Sequence, residues 1–334
     1  MRYRTLGRSG LRVAELGFGC GAVGGLLVRG DYAEMVRTVE RAIAAGINYF
    51  DTARSYGDGQ SETNLGRVLA ELKADVLVGT KVQLAPNELD DIKGAVAHAV
   101  DDSLRRLRRE RIDLMQLHNA IAAQRRPERG WVTVADVQAA LETFESLRRQ
   151  GKIGAYGING LGDTEAVHQA VALGAAQTIQ SCYNLLNPTA GMAAPAGFPF
   201  QDYAQLIDRA AAQGMGVIAI RVLAAGALSG TLNRHLNAAQ SVAPIASGSD
   251  LAADVALAHA FQPLIDEGYA GSLAEAATRF AISNAKVGTT LVGISSFEQL
   301  EQAIAAAEQG PLPAAAHERL QQVWAGFPTL RGSG

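Results

Sequence analysis

Apolar positions along this chain fall into two patterns that alternate. Short β-rich runs, bounded by glycine or polar turns, recur at 15–19, 49–52, 76–81, 112–118, 154–158, 178–183, 216–221 and 290–293. They read as strands. Each is followed by a stretch of helical period, near 33–45, 61–72, 92–109, 135–150, 163–173, 201–213, 272–284 and 297–308. Gly46, Gly151, Gly174 and Gly214 fall just past four of these helices, where a left-handed C-cap is needed. Ser295 or Ser296 stands just before the last helix, where a hydroxyl can cap free N–H groups.

Strand–helix alternation implies a parallel sheet with right-handed crossovers. Eight such units in about 300 residues suit a closed barrel better than an open doubly wound sheet. The expected fold class is therefore α/β, a (β/α)8 TIM barrel. A β-hairpin at 3–13, turning at Arg8-Ser9-Gly10, should precede it. No linker rich in Pro, Gly or Ser divides the chain, so one domain is expected over 1–334. Its barrel would span 15–310 and its C-terminal tail 311–334. Irregular stretches at 119–134, 185–200 and 229–249 follow strands and should rise over the C-terminal mouth, where barrel substrates bind.

Composition narrows function more than fold. The 334 residues are 48% hydrophobic and 19% charged, with a formal net charge of −3. No global field draws such a chain to nucleic acid or anionic lipid. A basic run at Arg105, Arg106, Arg108, Arg109 and Arg111 is broken by Leu104, Leu107 and Ile112 at helical spacing, and reads as a solvated helix face. Only Cys20 and Cys182 are present, with no C-x-x-C pair, and the histidines show no ligand spacing. No disulfide framework and no metal site are expected. The opening residues lack an apolar signal core, and no apolar run approaches the ~20 residues that cross a bilayer. A cytoplasmic protein acting on small molecules, without nucleic-acid or membrane partners, is the expectation.

Gly19-Cys20-Gly21-Ala22-Val23-Gly24 fits G-x-G-x-x-G after a strand, which would place a pyrophosphate on a Rossmann helix. Yet Gly25, Gly30 and Asp31 intervene before helical periodicity begins. A tight strand-to-loop turn at a barrel mouth accounts for the same glycines.

Chemistry concentrates at three successive strand ends. Asp51 closes the second strand and Tyr56 lies in the loop just after it; Lys81 ends the third and His118 the fourth. Charges at buried strand ends are costly unless they pair. A structural Asp51–Lys81 pair would meet that demand, but it leaves Tyr56 and His118 without an account. A carboxylate, a phenol, an ammonium and an imidazole on one rim point to catalysis, because catalytic residues of barrels come from several strand ends.

The same residues carry a family resemblance. The segment Phe50-Asp-Thr-Ala-Arg-Ser-Tyr-Gly57 with Ser61-Glu62 and Leu65-Gly66 resembles the aldo-keto reductase signature. So do Gly79-Thr-Lys81, Asp113-Leu-Met-Gln-Leu-His118, Gly151-Lys-Ile-Gly and Tyr183-Asn-Leu-Leu, in order from Leu6 to about Pro311. The resemblance implies a (β/α)8 barrel and NAD(P)-dependent interconversion of aldehydes, ketones or aldoses with alcohols. It also implies a catalytic tetrad at Asp51, Tyr56, Lys81 and His118. Hydride on a carbonyl carbon leaves an alkoxide that needs a proton, and a phenol with pKa near 10 gives one poorly unless a cation assists. Lys81 would supply that charge, Asp51 would hold Lys81, and His118 would orient the carbonyl oxygen.

Cofactor positions carry over less cleanly. Gly19 and Cys20 form the turn after the first strand. Where the family usually has Ser-Asn on the carboxamide, this chain has Asn159-Gly160; Gln180 matches a further carboxamide ligand. The family's stacking aromatic is replaced by Ile220-Arg-Val-Leu223, which implies aliphatic contact, Leu223 included. Arg221 then faces the mouth, to meet the pyrophosphate or an anionic substrate, or to sit in a structural salt bridge. The phosphate loop is matched by Gly293, Ser295 and Ser296, with Gln299 where an Arg or Lys is usual and Ala303 where an Asn is usual. NADP is implied by the resemblance, and the missing charge keeps NAD nearly level. The alternative is a non-catalytic, cofactor-sensing subunit of the same fold.

Overall fold

The computed structural model describes residues 1–327. Two short strands, β1 (Tyr3–Thr5) and β2 (Arg12–Ala14), pair antiparallel as the expected hairpin. Eight parallel strands follow: β3 (Leu16–Gly19), β4 (Tyr49–Asp51), β5 (Leu77–Val82), β6 (Ile112–Leu117), β7 (Ile153–Asn159), β8 (Thr178–Cys182), β9 (Gly216–Ile220) and β10 (Val287–Gly293). They close into a barrel in chain order, with β10 returning to pair with β3. Register levels the strand ends: Gly19 lies opposite Asp51, Asp51 opposite Gly79, Lys81 opposite Gln116 and Asn159 opposite Gln180.

Several of the intervening helices begin at their own capping side chains. Asp31 accepts from Ala33 N and Glu34 N, Ser296 accepts from Gln299 N, and Thr133 exchanges bonds with Asp136 in a capping box. The four glycines after helices have φ between 68° and 89°, the left-handed region. The hairpin plugs the barrel from below. Leu6 and Val13 join Tyr49, Leu114, Ala155, Ile218 and Leu291 in an inner apolar cluster. Arg4 and Arg8 fasten it by donating to backbone carbonyls at the barrel's base, among them Val287 O at 2.7 Å and Gly174 O at 2.6 Å.

Several expected boundaries move. Strand β10 starts three residues early, at Val287, and its register slips between Val287 and Thr289, an irregularity that no apolar pattern shows. The helix expected from 201 begins at Leu206, because Ala204 and Gln205 take positive φ and cannot continue a helix. Helix Leu251–Ala258 was not expected; it is apolar nearly all round and shows no amphipathic stripe. The expected tail contains helix Ala314–Ala325, whose Trp324 is buried and donates Nε1–H to Leu185 O at 2.7 Å. Residues 328–334 of that tail lie outside the described residues. The basic run is only partly a solvated face: Arg106 pairs with buried Glu62 at 2.6 Å and Arg109 with Asp113 at 2.9 Å, whereas Arg105, Arg108 and Arg111 are exposed. The glycine run opens no Rossmann helix; after Gly25 the chain makes four helical residues, Leu26–Arg29. Among the described residues no helix is long and apolar enough to cross a membrane.

Candidate active site

Side chains two apart on a strand share a face. On β4 this carries Tyr49 and Asp51 into the barrel together, and on β5 it does the same for Gly79 and Lys81. The Tyr49 ring fills the layer beneath Asp51 because its neighbours there have no side chains. A Cβ on Gly79 would lie 2.2 Å from the Tyr49 hydroxyl, and one on Gly17 would lie 3.3 Å from its ring. So seated, the Tyr49 hydroxyl donates to Asp51 Oδ2 at 3.0 Å, and Gln180 Nε2 donates to the same oxygen at 2.8 Å. The other carboxylate oxygen accepts from Lys81 Nζ.

Lys81 is buried, yet each of its three donors is used. Besides Asp51 it donates to Thr52 O at 2.7 Å and to the Tyr56 hydroxyl at 3.2 Å. Burial opposes its charge, but Asp51 and Tyr56 together outweigh burial and raise its pKa, so it stays an ammonium. Tyr56 behaves otherwise. Burial is the largest influence and, with Asp51, raises its pKa on balance, although Lys81 pulls it down. The expected net lowering by Lys81 is therefore not what the site produces on its own.

His118 follows β6 and sits edge-on to Tyr56, ring centroids 5.7 Å apart. Burial and the Lys81 charge push its pKa down to about 3, so the ring is neutral near pH 7. Ser55 Oγ lies 3.3 Å from its Nδ1. With that hydroxyl donating, the ring proton resides on Nε2.

Asp51, Tyr56 and His118 line a cavity of about 570 Å³ at the C-terminal ends of the strands. Gly19, Asn159, Gln180, Arg221, Leu223, Gly293, Ser295 and Gln299 all line it. Two expected residues do not. The Cys20 thiol is buried against Phe18 O at 3.8 Å, and Ser296 spends its hydroxyl on the helix cap. Gln299 is partly committed as well, since its Oε1 accepts from Ser295 N at 3.0 Å. Asn159 donates to His118 O at 2.9 Å and leaves its buried Oδ1 without a partner. Arg221 makes no ion pair among the described residues; its one polar side-chain contact is Ala243 O at 3.5 Å.

Three residues of the site escaped sequence reasoning. Tyr49 was legible in principle, since strand alternation sets it on the face of Asp51. Arg234 and His235 line the cavity from the loop after β9, where irregular backbone leaves no periodic signal. Among the described residues no cluster of three or more His, Cys, Asp or Glu side chains could hold a metal ion.

The aldo/keto reductase family model matches residues 15–325 of this chain. The chain belongs to that family. Among its relatives is L-galactose dehydrogenase of Arabidopsis thaliana, 27% identical over 314 residues, covering 92% of this chain and 88% of the relative. Pyridoxal 4-dehydrogenase of Microbacterium luteolum is 25% identical over 339 residues, covering 92% and 93%. A solved aldo-keto reductase of Bacillus halodurans in its holo form superposes with a TM-score of 0.71 at 26% identity, covering 97% of this chain and 96% of that one. Dehydrogenase relatives of this reach support an oxidoreductase.

Proposed function

We propose that this aldo/keto reductase moves a hydride between a nicotinamide cofactor and the carbonyl or alcohol carbon of a small substrate. The observation that carries the proposal is Lys81 Nζ, which joins Asp51 to the Tyr56 hydroxyl at the floor of the cavity. The bound cofactor would supply or accept the hydride; the chain's own groups manage the proton and the charge. In reduction Tyr56 donates its proton to the carbonyl oxygen, and its raised pKa keeps that proton in place until it is needed. Lys81 then stabilises the phenolate left behind, at a distance where a buried charge is felt strongly. His118, neutral with its proton on Nε2, donates to the same oxygen and orients it. Oxidation runs the proton the other way, with Tyr56 as base.

The cavity suits such a cofactor. The orphaned Asn159 Oδ1 is an acceptor for the carboxamide N–H, and Gln180 stands next to Asn159 across β7 and β8. The N-terminus of helix Phe297–Gln309 and the Arg234 guanidinium offer positive potential to the phosphates.

Purified protein mixed with aldehydes, sugars and quinones, with NADPH or NADH, tests the proposal at the absorbance of reduced nicotinamide. Turnover is expected, and Tyr56→Phe should lower kcat by ~10²-fold or more with cofactor affinity nearly unchanged. Tight cofactor binding without turnover across that panel would favour the cofactor-sensing subunit instead.

A further inference from the structure

Arg221 differs from the half-buried arginines that brace the scaffold. Arg106 is held by Glu62 at 2.6 Å, Arg279 by Glu275 and Tyr269 O at 2.8 Å each, and Arg4 by three backbone carbonyls. Arg221 has only the Ala243 carbonyl at 3.5 Å, the edge of hydrogen-bond reach, and no ion pair among the described residues. Asp254 is close enough to feel its charge but is engaged elsewhere, by Ser247 Oγ at 2.7 Å and Gly248 N at 2.6 Å.

Backbone geometry shows that this placement is imposed. Arg221 has a φ of 56°, a left-handed conformation that an arginine rarely adopts, and the buried Asn184 holds it there by donating Nδ2–H to Arg221 O at 2.9 Å. The turn aims the guanidinium into the cavity that Tyr56 and His118 also line. Its charge is felt at the Tyr56 phenol, which sets it on the reacting side of the cavity. Burial lowers its pKa, as for a cation lacking a counter-ion. Arg234 shares the cavity, but its Nε and Nη1 are spent on Ala239 O and Ala225 O.

We propose that the substrate is a carbonyl compound bearing a carboxylate, and that the paired N–H donors of Arg221 seat that carboxylate while the carbonyl faces Tyr56 and His118. This deepens the proposed oxidoreductase activity and rests on it for the word substrate. One planar fork with free donors matches one planar carboxylate, and a half-buried position shields the pair from competing water.

Two measurements test it. The first compares kcat/KM for succinic semialdehyde and para-carboxybenzaldehyde with that for their methyl esters. Wild type should favour the acids by roughly tenfold or more, Arg221→Met should bring the acid-to-ester ratio close to one, and Arg221→Lys should recover part of it. A ratio near one in the wild type, or one unmoved in Arg221→Met, overturns the assignment. So does an unmoved ratio with weakened cofactor binding, which would put the guanidinium on the pyrophosphate. The second measurement needs no turnover: succinate and benzoate binding followed by calorimetry should weaken at least tenfold in Arg221→Met. Arg221-dependent carboxylate binding by a protein that reduces none of the aldehydes would retain the anion site and sink the hydride-transfer proposal; equal binding by both proteins sinks the anion site.

Discussion

At the scale of single residues, the state of each group follows from which of burial and charge is larger. Around Tyr56 burial and Asp51 prevail, so the phenol keeps its proton; around Lys81 the carboxylate and phenol are larger, so the ammonium keeps its charge. Removing Lys81 leaves burial and Asp51, which raise the phenol's pKa, opposed only by the smaller pull of Arg221. Alcohol oxidation needs the phenolate and so speeds up with rising pH; in Lys81→Met that rise should move to higher pH as well as being slower throughout. A slower reaction with the rise unmoved would limit Lys81 to holding its neighbours in place. His118 gives a second pH test. Its folded pKa of about 3 lies below the ordinary histidine value near 6.5, so the unfolded chain takes up this proton more readily. The group is neutral in both states above about pH 6.5 and costs stability increasingly as pH falls from there toward 3. Wild type should therefore lose urea stability relative to His118→Gln across that window. A constant gap between the two unfolding midpoints would contradict the depressed pKa.

At the scale of elements, the site depends on what strands β3 and β5 leave out. Gly17 and Gly79 make room for the Tyr49 ring, and Tyr49 supports Asp51 from below. Gly79→Ala would overpack this layer at a cost of about 1–3 kcal/mol and push the tyrosine hydroxyl away from Asp51. Tyr49→Phe removes the atom nearest the new methyl. The double variant should accordingly be less destabilised than the two single losses added together, as read from urea unfolding of all four proteins. Strict additivity would mean that the Tyr49 hydroxyl and Gly79 do not meet. Where these elements lie was largely readable, because β-rich runs ended in Asp51, Lys81 and His118 at matching positions. How they interlock was not. Alternation places Tyr49 beside Asp51 on one face, but only the register between β3, β4 and β5 shows that two glycines flank its ring.

At the scale of the whole molecule, the cavity gathers residues from almost every strand end and from the loops above them, so cofactor choice is a property of the assembled mouth. Distinguishing NADP from NAD requires compensating roughly one and a half to two charges on a phosphate monoester. Gln299 cannot do so with a charge, and its carbonyl is already tied to Ser295 N. Preference between the two cofactors should fall within about tenfold, or ~1.4 kcal/mol, and Gln299→Arg should improve NADP affinity while barely touching NAD. Fluorescence titration of both cofactors checks this; a wild-type preference for NADP above a hundredfold would give the phosphate to Arg234 or His235.

The sequence by itself determined the eight strand–helix units, the hairpin before them, the glycines that end four helices, the serine before the last helix and the four polar residues at or just after the strand ends. Each of these is written in local periodicity or in a residue type whose backbone or hydrogen-bonding needs act within a few positions. Tertiary structure alone decided that the Cys20 thiol is buried, that the Tyr56 phenol's pKa is raised in spite of Lys81, that Arg221 has no counter-ion among the described residues and that Arg234 reaches the cavity. The physical reason is common to all four. Burial and partnership depend on groups far apart in the chain, brought together by strand register and barrel closure, and no local pattern records which of them will meet.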